Sequence, residues 1–382
     1  MKYVPLDDLK VSPKVSGFKS GLHEKIIGQD DAIREIVQVY QMHLAGMGPR
    51  QQPVGSFLFL GPTGTGKTRT VEATAEVIYG NPKAIIKIDC AEFQHSHEIA
   101  KLLGSPPGYT GHRETHPLLT QEGLNQWYTE KIQLSFVLFD EIEKANNALW
   151  NLLLGILDKA TLTLGDNNRV DFTRTMVFMT GNLGAREIDD ILNPRFGFLS
   201  GSQQSAVSVK GLGNQISKAG TTAARKKFTP EFLNRIDKIV VFEPLGEEQL
   251  RKILGLELIV VKHRIAQSTA INGFFDFELS LEAENFLLEK GTDIKSGARP
   301  LKRAIQKFLV GPLAAFMTTG QVERGDNLII DVDLKRKKLY FMKEEREEEK
   351  RPIETRRQPK TVSFSTVEPE KAAEAAVGRA HD

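Results

Sequence analysis

A single cysteine, Cys90, occurs in 382 residues, so no intrachain disulfide can form. The chain also lacks any run approaching the roughly 20 apolar residues needed to cross a bilayer, which excludes a membrane-spanning helix. Its first residues, MKYVPLDDLK, lack the apolar stretch of a secretory signal, and Asp7 and Asp8 stand where that stretch would lie. These absences read as a cytoplasmic protein. Charge of one sign is missing as well. With 51 basic and 49 acidic side chains the formal net charge is +2, which supplies no global field for nucleic acid. The length suits one or two globular domains with substantial cores.

Five short apolar runs alternate with helical patterns: 56–60, 84–89, 136–139, 175–179 and 238–242. They are continuous rather than alternating, as expected where helices cover both faces of a parallel sheet. The fold class is therefore α/β with a doubly wound parallel sheet. After Pro244 the pattern turns helical, with Leu250, Ile253, Leu254, Leu258 and Val261 on one face. Further helices are expected over about 280–290 and 299–316, and short strands at 327–332 and 338–341. The expected organisation is an extended arm at 1–20, a large domain at 21–243, a smaller, mostly helical domain at 244–342, and a disordered charged tail at 343–382. Residues 199–221, rich in Gly, Ser, Gln and Ala, read as a mobile loop.

Gly61-Pro62-Thr63-Gly64-Thr65-Gly66-Lys67-Thr68 follows the first strand and opens a helix, the context a phosphate-binding loop requires. Glycines let backbone N–H groups turn toward phosphates. The helix N-terminus adds positive potential, Lys67 neutralises the β/γ charge, and the Thr68 hydroxyl suits magnesium. The run Phe136-Val137-Leu138-Phe139 ends in Asp140 and Glu141, two carboxylates at a strand's carboxyl end, where α/β sheets place ligands. Asp140 suits a magnesium contact and Glu141 a base that polarises attacking water, although acidic pairs at strand ends are often merely solvated.

Taken with Met179-Thr180-Gly181-Asn182-Leu183-Gly184, Phe228-Thr229-Pro230-Glu231-Phe232-Leu233-Asn234-Arg235-Ile236-Asp237 and Gly297-Ala298-Arg299-Pro300-Leu301-Lys302-Arg303, these motifs occur in the order seen in the Clp family of AAA+ ATPases. The chain from about Gly21 to Phe341 resembles the final ATPase module of ClpB, ClpA or ClpC proteins. That resemblance implies an AAA+ large domain with a helical lid, ATP and Mg2+ as ligands, and a homo-oligomeric, hexameric ring that hydrolyses ATP and threads protein substrates through an axial pore. Asn182 resembles the sensor-1 residue, Arg235 the arginine finger that reaches a neighbour's site, and Arg299 sensor 2. Ile26 and Ile27, within Ile26-Ile27-Gly28-Gln29, match the segment that packs on adenine. Those isoleucines also read as plain core, and Arg235 also reads as a surface arginine paired with a local acid such as Asp237. Tyr109, in GSPPGYTGH, resembles the pore-loop aromatic that grips the chain; an amphipathic ring with little rotamer entropy suits weak binding of many sequences. Residues 161–164 and 169–172 read as a β-hairpin.

Departures from the family pattern bear on substrate preference. His112-Arg113-Glu114-Thr115-His116-Pro117 replaces the usual acidic residues and Gly-Gly pair after the tyrosine. His95, His97, His112 and His116 flank Tyr109; an altered channel lining is the expectation, with a zinc site as the lesser alternative. Because only 20 residues precede the module, recognition is expected to come from the pore, the termini or an adaptor. Phe196-Gly197-Phe198 loosely fits the tripeptide by which protease-coupled relatives dock a chambered peptidase, and uncoupled relatives carry a similar Arg-Phe-Gly. Three functions therefore stand beside one another: a protein unfoldase, an ATPase subunit coupled to a compartmental protease, and a nucleotide-gated scaffold that does not thread. A DNA-remodelling role is disfavoured by the near-neutral charge and the lack of a DNA-reading motif.

Overall fold

Strand β1 (Gly55–Leu60) shows how the large domain is built, because its side chains alternate between two cores. Leu58 and Leu60 enter one cluster with Val137, Phe139, Val177 and Met179. Phe57 and Phe59 enter the other with Phe136, Leu138, Met176 and Phe178. Opposite side-chain directions along a strand thus both meet apolar partners, which explains the unbroken hydrophobic runs. The computed structural model describes residues 10–104, 117–192, 209–268, 275–292, 297–333 and 336–344.

In chain order the next strands are β2 (Ile86–Asp89), β3 (Ser135–Asp140), the short pair β4 (Thr161–Thr163) and β5 (Arg169–Asp171), then β6 (Thr175–Thr180) and β7 (Lys238–Val241). The main sheet runs β2-β3-β6-β1-β7, and its pairings are parallel. Central strands β1 and β6 are buried at every residue, whereas the edge strands β2 and β7 are only partly covered. β4 and β5 form the antiparallel hairpin expected from the sequence.

The smaller domain begins with the helix Glu247–Ala266 and includes the helix Leu281–Gly291. Its sheet pairs β8 (Asp276–Leu279) with β9 (Asn327–Asp333) in parallel and β9 with β10 (Lys338–Lys343) antiparallel. β8 was not expected from the sequence. The expected helix at 299–316 is a longer run, Arg299–Ala304 and Gly311–Thr318 joined by a π-helical turn at Ile305–Val310.

Three expectations need correction. The extended arm at 1–20 is helical from Pro13, because α1 (Pro13–Lys25) starts there with Ser12 as its side-chain cap and Pro13 in the first turn. Val15, Phe18 and Leu22 face inward, and Phe18 packs on Tyr40 of α2 (Asp30–Leu44) with ring centroids 4.4 Å apart. Phe18→Ala is therefore expected to destabilise the fold by about 3–5 kcal/mol, read as a lowered denaturation midpoint; an arm outside the core would show no change. The second correction concerns 199–221, where Val209–Lys227 is a helix. Its small residues permit close packing: a Cβ on Gly220 would lie 2.8 Å from the Val241 side chain. Residues 193–208, the arm's first nine residues and the tail from 345 lie outside the described residues. At its start the expected tail is also corrected, since Lys343 closes β10.

Candidate functional site

The phosphate-binding loop emerges from β1 and feeds α3 (Lys67–Tyr79). A cleft of about 920 Å³ opens over it, closed on the far side by the small domain's helix Glu247–Ala266 and by Ala298, Arg299 and Lys302. Of the residues singled out in the sequence, Ile26, Ile27, Thr63, Gly64, Thr65, Gly66, Lys67, Thr68, Asp140, Glu141, Asn182 and Arg299 all line this cleft. Gly61 and Pro62 do not line it, but their carbonyls accept hydrogen bonds from Lys67 Nζ, both at 2.7 Å.

Lys67 is 7% exposed. Burial lowers its ammonium pKa to about 8, against the opposing pull of Glu143, Asp140 and Glu141 and with a smaller push from Arg299. It also donates to Asn182 Oδ1 at 3.0 Å, which ties the end of β6 to the loop. Asp140 is a tightly held carboxylate. Although burial pushes its pKa up, hydrogen bonds from Thr180 and Lys87, the Lys87 charge and the Thr68 hydroxyl outweigh this and hold it low. Lys87 Nζ lies 3.0 Å from Asp140 Oδ2.

Glu141 occupies the left-handed region at φ 58°, a conformation uncommon for a residue with a side chain and often found at working sites. Its N–H donates to Thr180 Oγ1 at 3.1 Å, and its carboxylate accepts from Asn182 Nδ2 at 3.3 Å and pairs with Lys144. Glu143, not assigned a role from sequence, accepts the Asn182 backbone N–H at 2.9 Å; its other oxygen is buried without a hydrogen-bond partner. Gln29 is another omission. Its amide donates to Thr65 O at 3.2 Å and Glu243 O at 2.9 Å, and accepts from Glu243 N, so it clamps the loop to the segment after β7. Lys87, a polar residue inside the apolar run of β2, carried the clearest sequence signal of the missed set.

Thr68 Oγ1 lies 3.4 Å from both carboxylate oxygens of Asp140. Neighbouring ligands of an octahedral magnesium ion bound at about 2.1 Å are about 3 Å apart, so this hard-oxygen pair fits one that also takes water and phosphate oxygens. The small domain touches the loop directly, with Ala298 N–H donating to Gly64 O at 3.0 Å. Arg235 is not among the residues lining this cleft. Its Nε lies 2.7 Å from Asp158, while Asp237 binds the Ser56 N–H and hydroxyl. Tyr109, His112, His116 and Phe196-Gly197-Phe198 lie outside the described residues. His95 and His97 stack at 5.6 Å, and no group of three His, Cys, Asp or Glu able to hold a metal occurs among the described residues.

This arrangement, a parallel sheet with a phosphate loop at its carboxyl edge and a lid resting on that loop, is matched by known proteins. Residues 52–239 match the AAA domain (Cdc48 subfamily), and residues 245–330 match the C-terminal, D2-small domain of ClpB protein. The chain belongs to the Clp family of AAA+ ATPases. It is 36% identical over 344 residues to the ClpC ATP-binding subunit of the ATP-dependent Clp protease of Staphylococcus aureus (strain USA300), covering 89% of this chain and 39% of that one. It is 37% identical over 320 residues to the chaperone protein ClpB of Meiothermus ruber, covering 83% of this chain and 34% of that one. The fold is similar to a chain in a closed-state cryo-EM reconstruction of Hsp104 with ATPγS and FITC casein. There the TM-score is 0.69 and the identity 29%, over 87% of this chain and 53% of that one. The chain thus spans well under half the length of these curated relatives.

Proposed function

We propose that this protein hydrolyses ATP with Mg2+ in a cytoplasmic, six-membered ring of identical subunits and uses the energy to unfold or remodel other proteins by threading them. The observation that supports it most is the convergence of Lys67, Thr68, Asp140, Glu141, Asn182 and Arg299 on one cleft bounded by both domains. Thr68 and Asp140 would hold magnesium, which when bound neutralises phosphate charge. Lys67 supplies a cation to the β/γ phosphates, and Glu141 accepts a proton from the attacking water. Asn182 bridges the Lys67 ammonium and the Glu141 carboxylate through its two amide atoms, so it holds the cation and the base in register. Arg299 brings the lid's charge to the same cleft, and Ile26 and Ile27 offer an apolar wall for the base.

Threading assigns force transmission to Tyr109. The test is ATP-dependent unfolding of a tagged, stable fluorescent protein, with ATP turnover recorded in parallel. Tyr109→Ala is expected to lose at least about tenfold in unfolding rate while turnover stays within about twofold, because an aromatic contact is removed without disturbing the nucleotide cleft. A wild-type protein that hydrolyses ATP yet unfolds nothing, with or without adaptors, would favour the nucleotide-gated scaffold instead.

A further inference from the structure

Arg235 follows the short helix Pro230–Leu233, and two separate sets of contacts fix it. Its backbone lies against the start of β1: Ser56 Oγ donates its one proton to Asp237 Oδ2 at 2.7 Å, with Arg235 O at 3.3 Å as a weaker, shared acceptor, and Asp237 N–H donates back to Ser56 Oγ at 2.9 Å. The acid nearest to Arg235 in sequence is thereby occupied by a serine. The guanidinium turns to Asp158, on the last turn of the helix Asn147–Lys159.

Asp158 is an unusual residue for that position. A helix C-terminus carries partial negative charge, and aspartate is a weak helix former, so the site disfavours it unless a cation compensates. The helix end itself is held firmly, since Ala160 N–H donates to Ile156 O at 2.8 Å and Phe172 N–H donates to Ala160 O at 2.7 Å. The Arg235 segment is packed to the same helix through Phe232, whose ring lies 6.3 Å from that of Trp150. Acid and arginine are therefore held at a distance set by core packing, although both side chains are substantially exposed, 32% for Asp158 and 43% for Arg235. Contact through Nε leaves the terminal edge of the guanidinium, with its two parallel N–H donors, for a second anion.

We propose that Asp158 is a positioning residue: it grips Arg235 by Nε and presents the free edge of the guanidinium to the phosphates held by the neighbouring subunit. This rests on the reading of Arg235 as an arginine finger that acts in trans. A flexible arginine fixed before the reaction needs no ordering during it, so releasing the grip should slow turnover more than it weakens ATP binding.

The test measures steady-state ATP turnover of Asp158→Asn, Asp158→Glu and Arg235→Ala, each also mixed with Glu141→Gln subunits. The latter lack their own base but keep an intact finger for the next subunit. Asp158→Asn is expected to lower kcat about tenfold with KM for ATP changed less than about twofold. Asp158→Glu, which keeps the charge, should retain most of kcat. Melting temperature and oligomer size establish that each variant is folded and assembled. Adding Glu141→Gln subunits should raise turnover per active site of both Asp158→Asn and Arg235→Ala. A kcat for Asp158→Asn within twofold of wild type overturns the proposal, as does rescue of Arg235→Ala without rescue of Asp158→Asn. Failure to rescue Arg235→Ala overturns the underlying trans reading, and the proposal with it.

Discussion

Replacing Glu141 with glutamine is expected to slow ATP hydrolysis by about 10²–10⁴-fold while leaving nucleotide bound, the range that loss of a general base produces. The separation of binding from chemistry follows from the contacts. Lys67 is anchored by the Gly61 and Pro62 carbonyls and Asn182, and Thr68 faces Asp140, so no phosphate or metal ligand depends on Glu141. Glutamine preserves an oxygen that can accept from Asn182 and keeps the side-chain length, but it cannot take a proton from water at neutral pH. The backbone at φ 58° is unaffected, because the substitution changes only the side-chain tip. Single-turnover hydrolysis beside equilibrium binding of a fluorescent ATP analogue separates the two quantities. Equal losses in both would mean that Glu141 holds the loop rather than activating water.

Gly297→Ala is expected to be the most damaging small substitution in the lid. Gly297 has φ +58°, and a Cβ there would lie 2.4 Å from Gly64 O and 2.5 Å from Gly64 C. The left-handed backbone costs alanine about 1–2 kcal/mol. Overlap with another backbone has no flexible side chain to absorb it and adds about 1–3 kcal/mol. The lid loop must then withdraw from the phosphate loop, breaking the Ala298 N–H to Gly64 O hydrogen bond and moving Arg299 from the cleft. ATP affinity should fall at least about tenfold, together with the melting temperature. Gly320→Ala is the matched control: its φ is +69° and nothing lies within 4 Å of the added methyl, so it isolates the backbone cost. Similar losses from both variants would show that the approach to Gly64 contributes nothing.

The sheet was legible because its strands are buried on both faces, which leaves continuous apolar runs such as Phe136-Val137-Leu138-Phe139. The nucleotide cleft was legible because local backbone geometry demands local sequence, as in the phosphate loop. Two helices were hidden by their own packing. The part of the expected loop 199–221 that is helical, from Val209 on, carries Gly220 because a glycine is needed where the helix meets Val241 and Gly184, and α1 carries Gly17 and Gly21 between its buried Val15, Phe18 and Leu22. Ser12 followed by Pro13 is a helix-start signal that the expectation of an extended arm passed over. Pairings across the sheet were not legible. Lys87 with Asp140, Gln29 with Glu243 and Arg235 with Asp158 join segments that the fold alone brings together, and Asp237 was the wrong acid for Arg235.

The π-helical turn at Ile305–Val310 has a consequence for how this lid can change over time. Each added residue rotates a helix by about 100°, so the wider turn lets one run aim Arg299 and Lys302 at the cleft and Leu309 and Leu313 at the lid's own core. Loss of a single codon within 305–310 would leave a helix of good composition, with every motif residue still present in the sequence. It would swing one half against the other by more than a quarter turn. The spacing between Arg299 and Leu313 is thus a gauge that substitutions can leave intact and a one-residue deletion cannot.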